Sequence, residues 1–254
     1  MPRVPDIWSM KTKTSVITQA YPKYIGCLFL ATTLLLTQAT AAHAQSKAPA
    51  ANTYDSSFRF YYYDQKIDHF ANMPIKRKAW VWLGDSITDG GEWAELIGRK
   101  NILNRGISAD NTFGILYRLD EVLRHQPQKL FILIGINDIG RNIPTEVSLR
   151  NYATIIDRIK AGSPGTAIYI QTLMPTNNEY TNFPNHQNKT DKIEAFNNGL
   201  KQLAKEKGTY LVDLYQPFCN AAGKLDAKYT NDGLHLTGQG YAHWKQILTA
   251  AKAL

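Results

Sequence analysis

Five short apolar runs, each of strand length, are spaced along the C-terminal four-fifths of the chain. They cover residues 79–83, 101–104, 130–135, 167–173 and 210–214. Little polar alternation breaks them, which is the pattern of strands covered on both faces. Between them lie helical spacings. Ile115, Leu119, Val122 and Leu123 share one face, as do Leu149, Tyr152, Ile156 and Ile159. Ile193, Phe196, Leu200 and Leu203 repeat the spacing, and Tyr241, Trp244 and Leu248 close the chain. Strand and helix in strict alternation predict an α/β fold, a parallel sheet with helices on both sides. No internal repeat and no second domain interrupts it.

Such a sheet binds ligands beyond the carboxyl ends of its strands. Reactive residue types should therefore gather just after the apolar runs, and they do. Ser86 follows the first run in "WLGDSITDGG", and Gly106 follows the second in "NRGISAD". Asn137 and Asp138 follow the third in "LIGINDIG", and Asp232 stands three residues before His235 in "NDGLHLTGQGY". Singly each is weak: a serine after glycine is commonly a turn, and an Asn-Asp pair commonly a helix cap. Together and in order they fit one chemistry. A serine hydroxyl needs a base to take its proton. His235 suits that role, with Asp232 to orient its ring. The oxyanion formed at an attacked carbonyl needs fixed donors. The Ser86 N–H, the Gly106 N–H and the Asn137 side-chain amide are the candidates.

These four blocks resemble the SGNH, or GDSL, hydrolase superfamily, over roughly residues 78–250. "GDSITDGG" is similar to its first block, the Gly106 segment to its second, "GIND" to its third and "DGLH" to its last. Two departures stand out: Ile87 replaces leucine, and Ala109 stands where a second glycine is expected. The resemblance implies a three-layer α/β/α flavodoxin-like sandwich with a five-stranded parallel sheet in the order 2-1-3-4-5. It also implies ester hydrolysis through an acyl-serine, with no cofactor and no metal. The chain looks like the secreted branch similar to carbohydrate acetylesterases and to platelet-activating-factor acetylhydrolase subunits. A short-chain, acetyl-type esterase acting on carbohydrate is the expectation. A lysophospholipase or thioesterase, an acyltransferase, and a binding domain without turnover are the rivals.

Other chemistries lack their marks. The G-x-S-x-G elbow of α/β-hydrolases fails at Thr88. No His-Glu-x-x-His and no Gly-rich loop ending in Lys-Ser or Lys-Thr occurs. The net charge of +8 is carried without a basic run interleaved with aromatics, so nucleic acid is not an expected partner. A small-molecule or glycan ester is.

Domain organisation follows from the N-terminal composition. Residues 25–37 are uncharged and mostly apolar, with Lys11, Lys13 and Lys23 before and Ala42-His43-Ala44 after. That is the make-up of a secretory signal peptide, cleaved after Ala44. It is too short for a comfortable membrane span, so a secreted or periplasmic protein without a lasting anchor is expected. Met10 makes a more ordinary start than Met1. Residues 45–77 read as a flexible leader followed by a helix carrying Tyr63, Ile67 and Phe70. Residues 78–254 are the hydrolase domain. Once Cys27 leaves, Cys219 has no partner for a disulfide and reads as a small buried residue. Asp85 is expected to tie the serine turn and Asp138 to cap the helix that follows it. Trp93 suits either the pocket wall or the core. His125, His186 and His243 have no evident partners. The longest irregular stretch, residues 174–189, follows the fourth run and should overhang the site. Its asparagines, with Tyr180 and Phe183, suit sugar hydroxyls and rings.

Overall fold

The computed structural model describes residues 54–254. The signal-peptide reading of residues 1–44 and most of the leader lie outside them. In chain order the elements are α1 (Tyr61–Asn72), β1 (Trp80–Gly84), α2 (Ser86–Asp89), α3 (Trp93–Ile97) and β2 (Ile102–Gly106). There follow α4 (Thr112–Leu123), β3 (Lys129–Leu133), α5 (Ile136–Gly140), α6 (Thr145–Gly162) and β4 (Ala167–Gln171). A short 3₁₀ turn (Pro184–His186), α7 (Thr190–Lys207), β5 (Tyr210–Val212), α8 (Tyr215–Phe218) and α9 (Gly238–Ala250) complete the chain.

The five strands form one parallel sheet in the order β2-β1-β3-β4-β5. The chain runs outward from β1 to β2, then crosses back to β3. The switch leaves a crevice between the ends of β1 and β3, where a doubly wound sheet places its ligand. Ser86 and Asn137 come from those two ends.

Register and alternation build the core. Trp82 pairs with Phe131, Phe131 with Tyr169, and Tyr169 with Tyr210. Side chains at paired positions share one face, so these four rings stack in a ladder, with centroids 4.3, 4.8 and 4.7 Å apart. Trp93 of α3 continues it over Trp82 at 5.0 Å, and Trp244 of α9 meets Trp93 edge-on. Trp93 is therefore a core residue, its Nε1–H donating to Thr88 O, and not a pocket wall. The helical faces read from spacing are buried where expected: Ile115, Leu119, Tyr152, Ile156, Phe196 and Leu200 all lie inside.

The strands differ from their apolar runs at the ends. β2 carries on through Arg105, whose guanidinium is buried against Glu121 at 2.9 Å, so a charged residue sits inside a strand. The third and fourth runs outlast their strands, because Ile134 and Leu173 are buried beyond the last ladder pair. β5 is a three-residue edge strand with Tyr210 and Leu211 exposed, not covered on both faces. Cys219 is only half-buried, its thiol directed to Tyr215 O at 3.3 Å.

Candidate active site

The serine turn begins with steric necessity. A Cβ on Gly84 would collide with Leu133 O and the Thr88 side chain, so β1 can end this close to β3 only as glycine. Asp85 then caps α2, its Oδ1 accepting the Ile87 N–H at 3.0 Å. Desolvation raises the Asp85 pKa to about 8, since the carboxyl is fully buried. Asn104 of β2 holds the far side of the turn, its Nδ2 donating to Asp89 O and Gly91 O.

The opposite edge is a second tight turn. Gly233 has φ +81°, the left-handed region that favours glycine, and a Cβ there would strike Asn177 O. This brings Asp232 under the backbone of the residues after it. Asp232 Oδ1 accepts the N–H groups of Leu234 at 2.9 Å and His235 at 2.7 Å. Its Oδ2 lies 2.8 Å from His235 Nδ1, and His235 Nε2 lies 2.8 Å from Ser86 Oγ. Burial works to raise the Asp232 pKa, but the backbone donors and the His235 ring outweigh it and hold the carboxyl below its ordinary value. An ionised Asp232 takes the Nδ1–H, which leaves the Nε2 lone pair for the Ser86 hydroxyl. Phe183 packs edge-on to the His235 ring at 4.8 Å.

Asn137 stands across the hollow on α5, after Gly135 at φ +129°. Its Nδ2 donates to Asp110 O at 2.8 Å, and its Oδ1 lies 2.9 Å from His186 Nε2. Beneath it Arg118 ties the elements together: its Nε donates to Asp110 Oδ2 at 2.8 Å, its Nη2 to Gly84 O and Arg105 O. Desolvation lifts the buried Asp110 to about 6, against the pull of Arg118. Asp138 lies inside α5 and caps neither that helix nor α6 after it. It accepts from Thr112 Oγ1, Thr112 N–H and Ser148 Oγ, fastening the starts of α4 and α6.

Four of the five predicted site residues, Ser86, Asn137, Asp232 and His235, come together here. Gly106 does not. Its N–H donates to Asn104 Oδ1 at 2.8 Å, and it is glycine because a Cβ would collide with the Asp89 backbone. The residues of that loop that line the hollow are Ser108 and Ala109, the latter held at φ +63°. Among the described residues the Ala109 N–H meets no acceptor.

The hollow beside Ser86 has a volume of about 550 Å³, with Ala109, Asn137, Phe183, Asn185, His186 and Arg141 among its walls. A second hollow of about 410 Å³ adjoins it through Ser86, Ser108 and His235. There Asp89 accepts from Tyr62 Oη, Lys66 Nζ and Ser108 Oγ. Asp55 and Ser57 reach the rim and accept from Arg141 Nη1 at 3.1 and 2.6 Å, so the end of the leader rests on the site. The loop of residues 174–189 does overhang the hollow, through Phe183, Asn185 and His186. Tyr180 packs behind Gly233, and Asn177 is buried on Leu225 O, so neither faces a ligand there. Of the wall residues, Ser108, Gly140, Arg141 and Leu234 carry no mark in the sequence, while Ala109 stood out only as a departure and His186 only as a histidine without an evident partner. Among the described residues, no three His, Cys, Asp or Glu side chains gather as a metal site.

The sequence profile of the GDSL-like lipase/acylhydrolase family matches residues 82–243, a span that takes in Ser86, Asn137, Asp232 and His235. This chain belongs to that family. It is 30% identical over 170 residues to platelet-activating factor acetylhydrolase IB subunit alpha2 of Rattus norvegicus, covering 64% of this chain and 70% of the relative. A solved chain from Streptococcus pneumonia, described provisionally as a platelet activating factor, is 30% identical with a TM-score of 0.67, over 74% of this chain and 90% of that one. An acetylxylan esterase from Geobacillus stearothermophilus aligns at 19% identity and TM-score 0.58, over 72% of this chain and 97% of that one, and shares the fold. The GDSL hydrolase fold of these neighbours is the parallel sheet with flanking helices described above.

Proposed function

We propose that this GDSL hydrolase is a serine esterase that removes short acyl groups, acetyl foremost, from carbohydrate hydroxyls. The observation that carries the reading is the unbroken line Asp232 Oδ2, His235 Nδ1, His235 Nε2, Ser86 Oγ, with 2.8 Å at each hydrogen bond, opening on the hollow that Asn137 faces. His235 Nε2 takes the Ser86 proton as Oγ attacks the ester carbonyl. The oxyanion meets the free Asn137 N–H and the backbone N–H groups of Ser86 and Ala109. Each such donor is worth about 3–4 kcal/mol of barrier. Collapse expels the alcohol, which takes the proton from His235. A water, deprotonated by the same ring, attacks the acyl carbonyl; the bond to Oγ breaks, His235 returns the proton to Ser86 Oγ and the acid leaves. Asp232 stays ionised throughout, orienting the ring and stabilising the imidazolium.

Acyl length is argued from the surface. A long chain needs an apolar track. The exposed large apolar side chains among the described residues are Tyr61, Met73, Ile75, Tyr117, Tyr210 and Leu211, and none lines the hollow. Within the hollow Ala109, Phe183 and Leu234 make a small apolar patch, enough for a short acyl group, while Asn185, Ser108 and Arg141 supply polar wall that suits a hydroxyl-rich alcohol. A second reading keeps the acetyl group and changes the acceptor to platelet-activating factor, favoured by the identity to acetylhydrolase subunits. Export from the cytoplasm, supported by the apolar run 25–37 and its flanks, accords with a glycan substrate.

The test is a nitrophenyl ester series from acetate to decanoate, followed by acetate release from acetylated xylan and from platelet-activating factor. kcat/KM should fall beyond butyrate, with xylan the better natural ester. A maximum at octanoate or longer contradicts the short-acyl reading, and preference for platelet-activating factor selects the second acceptor.

A further inference from the structure

The oxyanion side of the hollow holds one group the scheme leaves idle. His186 ends the 3₁₀ turn in the loop between β4 and α7, 49 residues along the chain from Asn137, and its Nε2 sits 2.9 Å from Asn137 Oδ1. The other end of the Asn137 amide decides what that contact is. It lies 2.8 Å from Asp110 O, a carbonyl that can only accept, so that end is the nitrogen. Oδ1 therefore faces His186, and the imidazole must be the donor. The proton is then on Nε2, and Nδ1 carries a lone pair. Nδ1 is buried and meets no partner, which fits a bare acceptor better than an orphaned N–H. Burial also pushes the His186 pKa down to about 4, with Lys189 adding to it, so at neutral pH the ring holds one proton.

With Oδ1 on His186 and one N–H on Asp110 O, the remaining Asn137 N–H has the hollow in front of it. We propose that His186 is the positioning residue of the oxyanion hole: its Nε2–H holds the Asn137 amide in the one orientation that presents N–H, not carbonyl, to the reacting ester. This rests on Asn137 acting as an oxyanion donor. The Asp110 O contact opposes a full turn of the amide, which would set Oδ1 against that carbonyl, but an amide freed from His186 would pivot on that single contact and carry its remaining N–H out of line with the developing negative charge.

The surroundings serve that contact. Gly140 has no side chain, and a Cβ there would lie 2.7 Å from His186 Nε2, so glycine is what lets the ring lie against α5. Lys189, three residues on, donates to Ile139 O at 2.8 Å and to Asn142 Oδ1 at 3.0 Å, pinning the same loop to the end of the helix that carries Asn137. Phe183, three residues before, packs on His235. One loop thus steadies both the base and the oxyanion donor.

Hydrolysis of nitrophenyl acetate by His186→Phe, Asn137→Ala and the double variant tests the proposal. Phenylalanine keeps the ring and loses the donor. His186→Phe should lower kcat by about 10- to 10²-fold, with KM within about twofold. Asn137→Ala should lower kcat by about 10²–10³-fold, and adding His186→Phe to it should change kcat no further. On the wild-type protein, ¹⁵N NMR should find the His186 proton on Nε2. Full kcat in His186→Phe beside a crippled Asn137→Ala, a pure KM effect, multiplying losses in the double variant, or a proton on Nδ1 would each overturn the proposal alone. Wild-type kcat in Asn137→Ala would overturn the oxyanion reading beneath it, and the proposal with it.

Discussion

The two walls of the site are built by different kinds of contact. On one side, Ser86, Asp232 and His235 are set by turns that close over two or three residues: Asp85 to Ile87, Asp232 to Leu234, Asp232 to His235. On the other side, Asn137 is set by partners 27 and 49 residues away, Asp110 and His186. The first wall is a pair of turns whose reactive side chains are fixed by near neighbours, braced from outside by Asn104 and Asn177 and brought together by the sheet. The second exists only when α4, α5 and the loop before α7 have all packed. The local wall should therefore fail in chemistry when mutated and keep its fold. The non-local wall should lose stability and chemistry together.

The largest effect is expected on the local wall. His235→Ala should lower kcat on the order of 10⁶-fold, and Asp232→Asn on the order of 10⁴-fold, because asparagine leaves the imidazole in place in the wrong tautomer. Both variants should unfold in urea near the wild-type midpoint, since neither residue fills the core. Equal losses in kcat, or a large fall in stability, would break the distinction.

On the non-local wall, Arg118→Met should cost about 3–5 kcal/mol of stability by urea unfolding, because it strands the buried Asp110 carboxylate. The Arg118–Asp110 pair lies 2.8 Å apart with almost no exposure. Activity should fall as well, since Asp110 O is what Asn137 leans on. A loss below about 1 kcal/mol would show that the walls do not differ in this way.

A pH-dependent effect sharpens the account of the serine turn. Desolvation raises the folded-state pKa of Asp85 to about 8, far above the value near 3.9 of an unfolded chain. The native state therefore binds the proton more tightly, and stability falls as pH rises from about 4 through 8. Asparagine keeps the cap and has no such proton to lose. Asp85→Asn should gain on the wild type between pH 5.5 and 9 in urea unfolding. A difference that stays constant across that range would mean Asp85 is ionised throughout.

What was legible in the sequence divides along the same line. Ser86, Asp232 and His235 could be read because each sits in a turn whose neighbours announce it. The sheet could be read because Trp82, Phe131 and Tyr169 lie in buried runs. β2 looked too short because Arg105 hides its charge against Glu121, a contact 16 residues away. Gly106 looked like a donor because its lack of a side chain invites close approach. The approach is real, but the partner is the Asp89 backbone, and the Asn104 side chain takes the N–H. Ala109 was visible only as a departure, and its left-handed φ is a property of the folded loop. His186 stands in "NFPNHQNK", where no spacing links it to Asn137; only the packed loop does.

The central claim is that Ser86 is the nucleophile, and active-site phosphonylation reads it most directly. After incubation with a fluorophosphonate, peptide mass spectrometry should place a single adduct on Ser86, in step with loss of esterase activity, and Ser86→Ala should take up no label and lose turnover by several orders of magnitude. An adduct on another residue, or esterase activity in Ser86→Ala within about tenfold of wild type, would contradict the account.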